Sequence, residues 1–288
     1  MTQTSRGAWL MAPAVLLLAS MLILPLGLMF MDSFAPRGLH GGVDWPDDLV
    51  AYFRSGDFLQ NYASALTTTF LAILWRSLKL ALLATGFCLL LGYPVAYTLA
   101  MHLPGRLRSL ALLGIAIPLW TSFVVRTFAW VWLLRGEGVL NNLLEWIGLI
   151  DQPLALLYNE GAVLLGLVYY ELPFMILPVY ASVERLDKRL LEAAADLGAT
   201  PWTAFWRVTL PLTRPGVLAG CALVFVPAAG QYVVSDMLGG SKVALVGNVV
   251  QNQFFGGKNP PFGFALTFLL TAMVLLLVAL APNVVKEK

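Results

Sequence analysis

"EAAADLGATPWTAFWRVTLPL", residues 192–212, belongs to a polar passage in a chain that is otherwise poor in charge. The sequence is 59% hydrophobic and 12% charged, with 18 basic and 16 acidic side chains in 288 residues. Nine of these charges lie between Val183 and Pro215: Glu184, Arg185, Asp187, Lys188, Arg189, Glu192, Asp196, Arg207 and Arg214. The stretches on either side carry almost none. Gly161–Val183 holds only Glu171, and Pro215–Ser235 holds no charge.

Four further runs are of the same kind. Gly7–Met31, Leu80–Met101 and Asn259–Val285 are uncharged, and Ser109–Leu134 carries Arg126 alone. About 20 apolar residues in a helix cross roughly 30 Å of hydrocarbon. In lipid the backbone must satisfy its own hydrogen bonds, and runs of this length without strand alternation specify helices. The prediction is an all-α membrane protein, one transmembrane domain over 1–288. Its six transmembrane helices are expected at about 7–31, 77–101, 109–134, 161–182, 216–236 and 262–282. The first run exceeds a signal-peptide core and no small-x-small site follows it, so it is expected to be retained.

Cys88 and Cys221 both sit inside apolar runs, which implies no disulfide framework. A formal net charge of +2 gives no reason to expect nucleic acid. His40 and His102 are isolated, so no metal site is expected. No phosphate-loop motif occurs, since "GGSK" at 239–242 has the wrong order, and no Ser, His and Asp grouping suggests hydrolysis. No cofactor and no catalytic activity are therefore expected, and no internal repeat supports a self-contained secondary transporter.

Orientation follows from the basic residues, which favour the cytoplasmic side. With both termini inside, Arg6, Arg106, Arg108, Lys286, Lys288 and the five basic residues of 183–215 face the cytoplasm. That is ten of 18, giving the inner segments, Glu287 included, a net charge of +5 against −3 elsewhere. The passage 183–215 is thus predicted to be a cytoplasmic loop between helices four and five. The outer loops are Asp32 to about Trp75, with "LTTTFLAILWRSLK" at the interface, one carrying "GVLNNLLEWIGLI", and Met237 to about Pro261. In the second of these, Val139, Leu140, Leu143, Leu144 and Ile147 form a stripe that predicts a short surface helix. Prolines 13, 25, 94, 118, 173, 178 and 227 fall inside apolar runs, where breaks persist only if neighbours or a cavity satisfy the freed carbonyls.

The loop itself reads as helix, elbow, helix. Leu186, Leu190, Ala193 or Ala194, and Leu197 recur at helical spacing. Gly198 suits the left-handed residue that ends such a helix. Thr200 suits an N-cap and Pro201 the first position of a second helix, with Trp202, Phe205 and Trp206 on one face. Pro211 and Pro215 are expected to stop that helix.

Glu192-Ala193-Ala194, then Gly198, Val208 and Leu210-Pro211 at these intervals, resembles the EAA loop of ABC importer permeases, with Val208 where the family usually has Ile. "LLLGYPVAYTLA" (89–100), "PLWTSFVVRTFAW" (118–130), "LPFMILPVYASVERLDKRLLEAAADLGA" (172–199) and "VSDMLGG" (234–240) resemble the first permease of spermidine/putrescine systems. Relatives in that subfamily carry opines, thiamine or iron. The resemblance implies a type I ABC importer permease bundle in the bacterial inner membrane, with Glu192, Ala193, Ala194, Gly198 and Pro211 in an ATPase-coupling element. It implies four partners besides membrane lipid: a second homologous permease, two cytoplasmic ATPase subunits and a periplasmic substrate-binding protein.

A polycation needs carboxylates and aromatic faces along its way. Asp236, with Tyr232 one turn before it and Gln231 and Ser235 nearby, is the expected outer station, and Glu171 near mid-membrane the deeper one. Arg126 is expected near the outer interface, and Trp120 and Trp130 as belt or packing residues.

Overall fold

α1 (Gln3–Asp32) begins the computed structural model, which describes the backbone of residues 3–286 and the side chains of residues 13 and 15–280. Lys288 and Glu287, counted above among the inner charges, lie outside the described residues, and the side chains of Arg6 and Lys286 lie outside the described side chains. Among the described residues no strand forms; one isolated antiparallel bridge joins Arg37 and Val43. Among the described residues, five helices are long and apolar enough to cross a membrane, or six if a bent pair counts as one span.

The chain divides into two compact units. The first runs to Leu71 and adds Val249–Ala272. It contains α1, α2 (Leu49–Ser55) and α3 (Gln60–Ala65), so the first long loop is itself folded. The Asp48 carboxylate accepts the Ala51 N–H at 3.0 Å and starts α2, a local signal that hydropathy does not register. Asn61 Nδ2 donates to the carbonyls of Ser33 and Ala35, and Tyr52 Oη to that of Phe34 at 2.8 Å, tying the loop back on itself. Ala65, Phe262 and Leu266 form its buried core, with Phe70 edge-on to Phe262.

The second unit holds Ala72–Asn248 and the last part of the chain from Met273. Its elements are α4 (Thr68–Met101), α5 (Gly105–Ala116), α6 (Phe123–Leu134), α7 (Val139–Trp146), α8 (Glu160–Glu184), α9 (Lys188–Asp196), α10 (Pro201–Ala204) and α11 (Leu210–Gly230). α12 (Val246–Phe255) and α13 (Pro260–Lys286) complete the chain. Lipid tails are as apolar as leucine, so helices in a membrane gain little from burying oil against oil and associate through close packing. Small residues accordingly line the contact of α4, α8 and α11. Gly92, Ala96, Gly216 and Gly220 are buried there beside Cys88, Met175, Val179 and Val224. Gly216 is the tightest point: a Cβ there would sit 2.6 Å from the Pro178 carbonyl oxygen and against Ser182.

Four expectations are corrected. The third span, expected to be continuous over 109–134, is broken: Gly105–Trp120 and Phe123–Trp146 meet at 95°. The Thr121 N–H and hydroxyl both donate to the Pro118 carbonyl, at 3.2 and 2.8 Å, and close a short 3-10 turn before extended Thr121. The second span starts at Thr68, not 77, since nothing in 68–85 interrupts the helix. Arg76 and Lys79, three apart on one helical face, both reach Glu160 at 3.3 Å. Finally, Pro211 and Pro215 do not stop the second loop helix, and helix five ends at Gly230, not 236. Helix runs from Pro201 to Gly230, with one wide π-type turn at Phe205–Thr209 where Leu210 N–H donates to the Phe205 carbonyl. That turn accommodates a proline two residues into the next helix, where its missing N–H and its ring do least harm.

Candidate coupling segment and substrate pathway

Three residues separate α8 from α9. The carboxylate of Asp187, in extended conformation, accepts the Arg189 N–H at 3.0 Å and caps α9. α9 carries Glu192, Ala193 and Ala194. It closes with two bonds: Gly198 N–H to the Ala195 carbonyl (2.8 Å) and Ala199 N–H to the Ala194 carbonyl (2.9 Å). This pair is a Schellman cap, and it requires the left-handed residue that Gly198 supplies at φ +81°. The Thr200 hydroxyl then accepts the Thr203 N–H at 3.3 Å, and Pro201 begins α10.

Glu192, Ala193 and Gly198 are exposed, and Ala194 and Pro211 are half-buried. The apolar residues around the elbow are exposed as well: Leu197 at 89%, Trp202 at 69% and Trp206 at 50%. Phe205 differs from the two tryptophans. It is half-buried and packs edge-on against Tyr93 of α4, with centroids 5.4 Å apart.

Two sets of residues that sequence reasoning missed hold this segment from either end. Thr213 on α11 donates its hydroxyl to the Thr209 carbonyl at 2.9 Å, which leaves Tyr93 Oη as the donor of the 2.9 Å bond between the two hydroxyls. Glu184, the last residue of α8, accepts Tyr180 Oη at 2.6 Å and Arg108 Nη1 at 3.1 Å through the same oxygen. Nothing in the sequence pairs residues 76 or 120 positions apart. The four-residue spacings of Thr209 with Thr213 and of Tyr180 with Glu184 are the only local signals.

The expected pathway residues are not brought together. Glu171 is 4% exposed, and its Oε2 has no hydrogen-bond partner among the described residues. Asp236 is exposed, and no ion pair formed by the described residues includes it or Glu171. Asp236 and Tyr232 do not lie on α11, as expected for helix five. The chain turns extended at Gln231, whose Oε1 accepts the N–H groups of Tyr232 and Val233 at 3.1 and 3.3 Å and starts a separate short turn. Asp236 N–H donates to the Tyr232 carbonyl at 2.8 Å, so the two remain one turn apart. Gln231 and Ser235 are spent on the backbone, the Ser235 hydroxyl donating to the Val243 carbonyl at 2.6 Å. Arg126 folds onto Tyr170, its Cζ 4.9 Å from the ring centroid, with Nε buried and unpartnered among the described residues. Trp130 packs edge-on against Tyr169, and Trp120 is exposed.

Residues 89–286 match the family model described as the inner membrane component of binding-protein-dependent transport systems. The spermidine/putrescine transport system permease protein PotB of Escherichia coli K12 is 41% identical over 255 residues, 88% of this chain and 92% of its own. PotB of Salmonella typhimurium LT2 is 46% identical over 216 residues, 75% of each chain. Among solved structures, a bacterial ABC transporter involved in the import of the acidic polysaccharide alginate matches with a TM-score of 0.71 at 18% identity, covering 98% of this chain and 96% of that one. At that identity it bears on the fold alone.

Proposed function

We infer from one premise, that this chain belongs to the family of inner membrane components of binding-protein-dependent transport systems, that it is the non-catalytic, membrane-spanning subunit of an ATP-driven importer of polyamines. The observation that carries the reading is the α9–Gly198–α10 elbow with its exposed Leu197 and Trp202, joined to two long apolar helices. The polyamine assignment is supported by the relatives named for spermidine and putrescine, which are more than 40% identical to this chain.

In this reading both termini and the segment 183–215 face the cytoplasm. Glu192, Ala193, Ala194 and Gly198 present the docking surface to one of two ATPase subunits, and Pro211 lies in the helix that leads from it into the bundle. A second permease completes the pathway and a binding protein delivers the cargo from the periplasm. ATP binding drives the elbow, and with it the bundle, between inward- and outward-facing states. Reversing a 1:99 population takes about 5.5 kcal/mol, which a firmly capped helix transmits and a frayed one does not. Uptake of radiolabelled spermidine by a deletion strain carrying this chain and its partners tests the reading. Uptake is expected to depend on the ATPase and the binding protein, and uptake independent of either would refute it.

Orientation has its own test. A cysteine at Asp196 is expected to be shielded from membrane-impermeant thiol reagents in whole cells, and one at Asp151 to react; the reverse pattern would remove the ATPase socket.

A polyamine's ammonium groups each need a carboxylate, carbonyl or aromatic face, because an unpaired charge in low dielectric is very costly. We assign Asp236 and Tyr232 as the outer station and the buried Glu171, whose Oε2 has no hydrogen-bond partner among the described residues, as the deeper one. Asp236→Asn and Tyr232→Ala are each expected to reduce spermidine uptake several-fold at unchanged expression, with ATPase copurification intact and Tyr232→Phe milder. Wild-type uptake by Asp236→Asn would reduce that residue to a helix end.

A further inference from the structure

The α4–α5 hairpin is tied to the coupling segment at both of its ends, through Arg108 of α5 and Tyr93 of α4. Leu103 and Pro104 form the corner, Leu103 N–H donating to the Thr98 carbonyl at 3.2 Å before extended Pro104. Arg108, one turn into α5, spreads its guanidinium across the gap. Nη2 donates to the Leu103 carbonyl at 3.3 Å and Nη1 to Glu184 at 3.1 Å. Glu184 in turn accepts Tyr180 at 2.6 Å and stands three residues before Asp187, the cap of α9. Ala100, Tyr180 and Val183 belong to one buried cluster, against which Leu103 and Leu112 pack. The downstream end of the segment is tied to the same hairpin through Tyr93 and Thr213.

We propose that Arg108, Glu184 and Tyr180 form a clasp that carries the displacement of α9 into the α4–α5 hairpin, making these three residues positioning elements of the transport stroke. The proposal rests on the coupling reading above. Its geometry is that of a lateral strut. A pull on α9 reaches Glu184 through only three residues, and the charged bridge passes it sideways to a hairpin that α9 does not touch in sequence. The arginine fork holds a carbonyl and a carboxylate at once, a geometry that a lysine point charge does not reproduce. The pair is also partly exposed, with side-chain accessibilities of 28% for Arg108 and 46% for Glu184. Ion pairs of that kind contribute little to stability, so their removal leaves the fold standing and isolates their mechanical part.

The complex of this chain with its partner subunits, reconstituted in proteoliposomes with binding protein and radiolabelled spermidine, provides the test. The quantity read is spermidine transported per ATP hydrolysed. Arg108→Ala and Glu184→Gln are expected to lower it at least fivefold, while the ATPase copurifies as before and continues to hydrolyse ATP. Arg108→Lys and Tyr180→Phe, which spare the fold, are expected to fall between these and wild type. The charge exchange R108E with E184R is expected to recover at least half of the loss. Ratios within twofold of wild type in all variants would overturn the clasp. So would a parallel loss of copurification, hydrolysis and transport that the exchange does not restore, since that marks a purely structural pair. If the wild-type complex itself shows no binding-protein-stimulated hydrolysis, the coupling reading fails first and the clasp falls with it.

Discussion

Gly198→Val is expected to leave the protein in the membrane at its normal level and to abolish most of its transport. Gly198 sits at φ +81°, and nothing lies within 4 Å of the position a Cβ would take. The penalty therefore comes from the backbone alone. A left-handed residue costs an L-amino acid about 1–2 kcal/mol, and a β-branched one is a marked outlier there. A shift of 1–2 kcal/mol is a factor of about 5–30 between conformers, enough to unwind the Schellman cap and swing Thr200 and Pro201 away from α9. Because space is free, the series should follow conformational preference and not size: Gly198→Asn near wild type, Gly198→Ala intermediate, Gly198→Val lowest. Uptake and binding-protein-stimulated ATP hydrolysis measure it. Equal loss in the Asn and Val variants would show that the side chain obstructs docking instead, and normal uptake by the Val variant would remove the elbow from the mechanism.

Gly216→Val has the opposite signature. Here a side chain meets the Pro178 carbonyl oxygen at 2.6 Å as well as Ser182, groups that cannot rotate aside. Overpacking costs about 1–3 kcal/mol, and losses of about 1–2 kcal/mol change abundance several-fold. The expected result is less protein in the membrane, read by immunoblot and by thermal melting of the purified complex, with transport falling in proportion. Gly220→Ala is the control: its Cβ would meet the Met175 sulfur, on a flexible side chain, at 2.8 Å, with the nearest backbone atom at 3.3 Å, and it is expected to be milder. Comparable levels of the Gly216 and Gly220 variants would contradict the backbone contact.

The all-helical membrane class and the elbow could be read from the sequence because both rest on local chemistry: long uncharged apolar runs for the first, and for the second a glycine followed one residue later by Thr-Pro. The break at Pro118–Ser122 was less legible. A proline within an apolar run marks a site where a helix can bend, whereas the 95° angle depends on Thr121 closing its turn onto Pro118. Pro211 misled for a related reason. Its usual reading as a terminator assumes that the preceding turn is α-helical, and the turn at Phe205–Thr209 is wider. The folded first loop was hidden because its ties run from side chains to distant carbonyls, such as Asn61 to Ser33. The candidate pathway suffered most. Glu171 and Asp236 stand out in the sequence as charges in apolar surroundings, yet charge placement says nothing about the extended residue at Gln231 that moves Tyr232 and Asp236 off the long helix.

The wide turn at Phe205–Thr209 has a consequence for phase. It holds one residue more than an α-helical turn, and at 3.6 residues per turn one residue is about 100° of azimuth. Trp202 therefore points about a quarter-turn away from the direction an unbroken helix from Gly230 would give it. The azimuth of the aromatic end is set separately from that of the buried stripe of Thr213, Gly216, Gly220 and Val224. A single residue's worth of chain acts as the indexing step between them.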